Sequence, residues 1–185
     1  ALFNLQTGGG NACRMRTFNT AEERVLGAYI AYYGRPADAG GLAYWAKRMS
    51  DEGGSIWSII EPFGNSNEYR QRFGSLGNTD LINNLYQQMY GRRADPAGLS
   101  YYTGLLDAGR STLASIAVNI LDGTAGVDAI VLESRMKVAR HYVTQMEAKG
   151  PSAPVISDVR LADLLSWVRA DSVDAACMTL TDWIN

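Results

Sequence analysis

One segment of this chain occurs twice. Residues 29–45 align without gaps to residues 86–102 at an offset of 57, sharing Tyr29/Tyr86, Tyr33/Tyr90, Gly34/Gly91, Arg35/Arg92, Ala37/Ala94, Asp38/Asp95, Gly41/Gly98, Leu42/Leu99 and Tyr44/Tyr101. A duplicated unit of this size stacks on its copy, because neither unit alone covers its apolar face. The spacing inside the unit is helical. Tyr29 and Tyr33, like Tyr86 and Tyr90, stand four apart and share one helix face, expected to be the buried one. Gly34 and Gly91 follow the last periodic residue, where a left-handed C-cap is wanted. Asp38 and Asp95 then stand where the next helix needs an N-cap, and Pro96 fits its first turn. Gly41 and Gly98 lie inside that helix, which a close helix crossing or backbone approach would explain. Leu42, Trp45 and Met49 carry the apolar stripe onward, matched by Leu99, Tyr102 and Leu106.

The remaining signals are also helical. Thr20 with Glu23 reads as a capping box opening the first helix. Ser55, Ser66 or Asn67, Thr79, Ser111, Ser157 and Ser172 read as further helix starts, and a long helix is expected over about 127–149. No β-hairpin pattern appears. The expected fold is all-α. It comprises an extended arm at 1–19 hinged at Gly8, Gly9 and Gly10, helical repeats at 20–78 and 79–149, and a C-terminal helical pair at 155–185 on the same core.

Composition narrows the function classes. Of 185 residues, 46% are hydrophobic and 19% charged, with a net charge of −2, which is globular rather than disordered. Basic and acidic residues balance through residue 149, so no nucleic-acid footprint is expected. No apolar run is long enough to span a bilayer. A start at Ala1 without an initiator Met is what a mature protein shows after signal removal, although a shortened chain would begin the same way. Cys13 and Cys177, one near each end, are expected to form one disulfide. Closing so long a loop stabilises by about 4–5 kcal/mol in the chain-entropy model and implies an oxidising compartment.

The paired motif Gly34-Arg35-x-x-Asp38-x-x-Gly41-Leu42-x-Tyr44-Trp45 and Gly91-Arg92-x-x-Asp95-x-x-Gly98-Leu99-x-Tyr101-Tyr102 resembles the bacterial "domain of unknown function 4214" family. With its flanking helices the resemblance covers about residues 21–125. It implies a secreted, surface-layer-like or adhesin-like protein. Tyr102 departs from the usual Trp but keeps an aromatic ring. The motif is loosely similar to phycobilisome linker domains, which are helical assembly modules, though the pigment-binding cysteine pattern is missing. The family offers no catalytic residues to carry over.

Chemistry is correspondingly sparse. His141 is the single histidine, expected to be a surface or half-buried structural residue. Two cysteines and one histidine make no zinc site. There is no G-x-S-x-G elbow, the glycine run lacks the Lys-Ser/Thr of a phosphate loop, and no two carboxylates stand out as a glycosidase pair. Arg35 with Asp38, and Arg92 with Asp95, read either as a ligand loop or as ion pairs bracing each turn, and the second is expected. Trp57 and Trp183 are the aromatics least tied to the repeat, hence the candidate contact surface. The expectation is an extracellular structural protein that self-assembles into a layer or filament, its arm docking on a neighbour, with no cofactor, no metal and no nucleic acid. The alternatives are a monomeric adhesin module that binds surface glycans or a protein, and an enzyme with an unrecognised carboxylate site.

Overall fold

Each repeat is a helical hairpin braced by a third helix. The computed structural model describes residues 12–185, and among these the protein is all-α, with ten helices and no strand. The first repeat holds α1 (Thr20–Tyr33), α2 (Ala39–Asp51), α3 (Trp57–Gly64) and α4 (Asn67–Phe73). The second holds α5 (Asn78–Tyr90), α6 (Pro96–Asp107) and α7 (Leu113–Asp122). The long α8 (Gly126–Lys149) follows, then α9 (Asp158–Ser166) and α10 (Val173–Ile184). α1 lies against α5, α3 lies against α7, and α8 crosses both hairpins and packs along α10.

The local code explains most of the boundaries. Gly34 and Gly91 end α1 and α5 in the left-handed region, at φ 63° and 67°. Asp38 and Asp95 cap α2 and α6 through the amides of Gly41 and Gly98, at 2.8 and 3.0 Å. Several starts fall elsewhere than the sequence suggests. The capping box on α1 is Asn19 with Glu22, one residue before the Thr20/Glu23 reading, because it is Asn19 that is extended and reaches the Glu22 amide. Gly77 rather than Thr79 precedes α5, and Thr112 rather than Ser111 caps α7. Ser66 caps α4 and Ser157 caps α9. Ser55 sits two residues before α3 and accepts from the Trp57 amide, whereas the Ser172 hydroxyl accepts from the Arg169 amide rather than capping α10.

One apolar core joins all these helices. It runs from Leu26, Ile30 and Tyr32 through Leu85 and Met89 to Val143, Leu165 and Leu180. The glycine run at 8–10 and the start of the expected arm lie outside the described residues. From Ala12 onward the segment is extended and bound to its own chain. Cys13 is bonded to Cys177 with Cα atoms 5.2 Å apart. The Arg16 amide donates to Thr144, and the Arg16 guanidinium pairs with Glu22 and Glu147.

His141 is the hub of this attachment and, contrary to the surface or half-buried expectation, is fully buried. Its Nδ1 accepts the Arg14 N–H at 2.8 Å, so Nε2 carries the proton and donates to Thr181 at 2.9 Å. Thr181 in turn donates to the Cys177 carbonyl. Burial holds the imidazole below its ordinary range. The unfolded chain therefore takes up a proton first on acidification, and stability present above the unfolded value, about 6.5, declines as pH falls towards the folded value. Urea unfolding between pH 7 and pH 5 should show this loss, at most about 1.4 kcal/mol per pH unit, and His141→Gln should flatten the slope across that window. An unchanged slope would remove the histidine from this role.

Candidate functional site

The two motif turns are built alike. After the glycine cap, Arg35 folds back so that its guanidinium lies 5.2 and 5.3 Å from the ring centres of Tyr29 and Tyr33. It does not pair with Asp38, whose carboxylate is occupied by the α2 cap. It instead forms a two-pronged bond to Glu68 on α4, at 2.9 and 2.7 Å, and donates to the Pro36 carbonyl. Arg92 repeats this over Tyr86 and Tyr90, at 5.1 and 5.7 Å, and grips Asp128 in the first turn of α8. Asp95, like Asp38, is spent on its cap. The turn braces are real, but their acids lie 33 and 36 residues downstream. The tyrosines complete the joint. Tyr33 donates to the Phe63 carbonyl at 3.0 Å, and Tyr90 donates to the Ile120 carbonyl at 2.9 Å. Gly41 is explained by a side chain rather than a helix crossing: a Cβ there would stand 2.5 Å from the Tyr29 hydroxyl.

Among the differences between the repeats, one removes a ring from the joint. The offset of 57 continues through Ile59/Ile116 to Phe63/Ile120. The Phe63 ring fills the first repeat, with ring centres 5.0 Å from Tyr29, 5.3 Å from Tyr33 and 5.2 Å from Trp45. Ile120 has no ring to offer. In its place is a cavity of about 210 Å³, lined by Tyr86, Tyr90, Tyr102 and Asn119 together with the Arg92–Asp128 pair. Burial, with Tyr102 and Asp95 close by, pushes the Tyr86 phenol up to about 12, so it stays protonated at neutral pH. α6 is also the less buried of the two matching helices. Its counterpart α2 buries Leu42, Ala46 and Met49, whereas α6 buries no residue and packs chiefly on α5.

A second cluster lies where α1, α5 and α9 end together. Converging C-termini bring partial negative charge and unpaired carbonyls to one place. Arg135, 1% exposed, donates to the carbonyls of Gln87, Gln88 and Ser166 at 2.6–2.9 Å. Arg169 donates to Gly91 and Val168, and Arg72 to Tyr33. Gln88, with its amide nitrogen turned towards α1, donates to Ala31 and Tyr32. Burial and the neighbouring Arg169 push Arg135 down to about 10, which leaves it charged at neutral pH. Gly91 suits this place through its left-handed backbone, φ 67°, and a Cβ there would also push aside the Arg169 guanidinium. Sequence reading missed this clamp, because an arginine in a long polar helix reads as surface.

The candidate contact aromatics separate. Trp57 is 50% exposed, but Trp183 is half-buried beneath Arg160, 3.8 Å from its ring centre. Tyr44 and Tyr101, the motif tyrosines just ahead of Trp45 and Tyr102, are 60% and 64% exposed. Their equal exposure was foreseeable from the helical spacing, since each lies off the Leu–aromatic stripe. Among the described residues no group of three His, Cys, Asp or Glu side chains is placed to hold a metal. No single helix among them is long and apolar enough to cross a membrane.

The structure thus defines an all-helical protein built on a duplicated, arginine-braced hairpin. Residues 60–124 match the family described as "Domain of unknown function (DUF4214)". The match runs from α3 through α7 and takes in the second motif, whereas the first motif lies ahead of it. No curated protein and no solved structure matches the chain.

The two braces differ in burial, and their substitutions should differ accordingly. The Arg35 side chain is 9% exposed and the Arg92 side chain 42%. Arg35→Ala should destabilise by about 1–3 kcal/mol, because it leaves Glu68 to Arg72 alone and uncovers two rings. Arg92→Ala should cost under about 1 kcal/mol. Urea melts of both variants check this, and equal losses would contradict it.

Proposed function

We propose that this is an extracellular structural protein that self-associates through the outer face of its repeat hairpins, with no catalytic role. The observation that carries the reading is the motif tyrosine that both copies keep and neither buries, Tyr44 and Tyr101. A large aromatic kept in solvent at the same place in both repeats contributes nothing to the core. Exposed aromatics backed by other rings are what contact surfaces use. Tyr44 leans on Trp45 at 4.9 Å and Tyr101 on Tyr102 at 5.3 Å, so each is held in place before any contact forms.

Two further features support it. On α6, Leu105 stands four residues from Tyr101 and extends the same strip, outside the set of side chains packed on the core. Because the surface occurs twice per chain, a neighbour bound at one copy leaves the other free, which permits growth beyond a dimer. The Cys13–Cys177 bridge supports an oxidising, extracellular setting.

Light scattering across a concentration series tests the reading. The mass of the native protein should rise with concentration, and Tyr44→Glu with Tyr101→Glu should hold it at the monomer mass with unchanged helical circular dichroism. A native protein that stays monomeric throughout contradicts self-association, and a double variant that still assembles contradicts this surface.

A further inference from the structure

We propose that α6 of the second repeat is completed by α6 of a second copy of this chain, the two helices lying antiparallel across a twofold axis. The inference rests on the self-association proposed above and names the partner for one of its two surfaces. The first repeat serves as an internal reference. Past Tyr44, α2 and its C-cap carry Lys47, Arg48, Asp51 and Glu52, tied into two ion pairs along the helix. At the offset of 57 those four positions are Gly104, Leu105, Ala108 and Gly109, while the tyrosine stays as Tyr101. No charged residue occurs from Pro96 to Leu106. A helix without a charged face is one that burial suits, yet no residue of α6 is buried within its own chain. α2 packs on α1, α3 and α8, whereas α6 packs chiefly on α5.

The charges around α6 decide between partners. Meeting α2 of another copy would bury the Lys47–Asp51 pair against an uncharged surface, a desolvation cost that nothing offsets. Meeting its own copy leaves both helix faces uncharged and brings charges together only at the ends. Arg93 and Asp95 precede α6, and Asp107 and Arg110 stand at its far end. Arg93 and Arg110 are exposed, and neither has an ion pair among the described residues. An antiparallel arrangement sets Arg93 against Asp107 and Arg110 against Asp95, twice over by symmetry, and opposes the two helix dipoles. A parallel arrangement would set like charges side by side. The contact strip is Ala97, Tyr101, Gly104, Leu105 and Ala108, which share one face of the helix. Such a contact is isologous and closes on itself, so growth past the dimer falls to the Tyr44 surface.

Light scattering on the full, disulfide-bonded chain tests the pair in a Tyr44→Glu background, which leaves α6 as the remaining surface. This variant should give twice the chain mass. Adding Gly104→Glu should weaken that dimer at least about tenfold, since it sets two carboxylates in an uncharged contact. A Cβ at Gly104 meets nothing within 4 Å, and replacing a helical glycine should raise the melting temperature rather than lower it. Orientation is read in the same background with a short bismaleimide, the chain's own two cysteines being bonded to each other. Ala97→Cys mixed with Ala108→Cys should cross-link, and neither should cross-link to itself, because about 16 Å of helix separates the two positions. A Tyr44→Glu variant that is monomeric while the native protein assembles overturns the α6 pair and leaves self-association standing. A native protein that stays monomeric overturns both. A mass that Gly104→Glu leaves unchanged, or self cross-linking of either cysteine variant, overturns the antiparallel pair.

Discussion

Each hairpin is joined to the rest of the fold through the arginine that follows its helix-ending glycine, tightly buried in the first repeat and more exposed in the second. It lies over two tyrosine rings and reaches an acid on a helix that comes much later in the chain. One side chain thereby fixes three things together: the direction in which the hairpin turns, the burial of the tyrosine face, and the docking of the element beyond. Arg35 does this for α4 and Arg92 for α8. Lysine has neither the planar face nor the paired donors such a joint requires.

The duplication also creates a difficulty. Placing α1 beside α5 and closing with α9 gathers three helix C-termini in one place. Arg135, Arg169, Arg72 and Gln88 answer it by donating to those carbonyls. Among the described residues no carboxylate pairs with Arg135, so the helix ends themselves balance its charge. Once that junction is held, the hairpins are free to differ. The first repeat is closed by Phe63, and the second, with Ile120, is left open beside a weakly held α6.

Much of this was legible in the residues themselves. The tyrosine spacing, the capping glycines and the capping aspartates are local signals, and the structure places them as local physics requires. The Cys13–Cys177 bridge followed from having two cysteines at opposite ends. Long-range partnerships were not legible. Glu68 and Asp128 carry nothing in their neighbourhoods that marks them for Arg35 and Arg92, so the nearer Asp38 and Asp95 looked like the natural partners. Charge and polarity misled for Arg135 and His141, which are buried because backbone groups satisfy them. The packing of Arg160 over Trp183 was likewise not legible in the sequence. The Phe63/Ile120 difference stood in the alignment, but its meaning needed the ring contacts.

The central claim is that one scaffold occurs twice, closed in the first repeat and open in the second. Native-state hydrogen exchange measures that directly, because local opening reports how firmly each helix is held. The amides of α2, packed on α1, α3 and α8, should exchange close to the rate of global unfolding, and those of α6, packed chiefly on α5, should exchange far faster. Equal protection of the two helices would contradict the account.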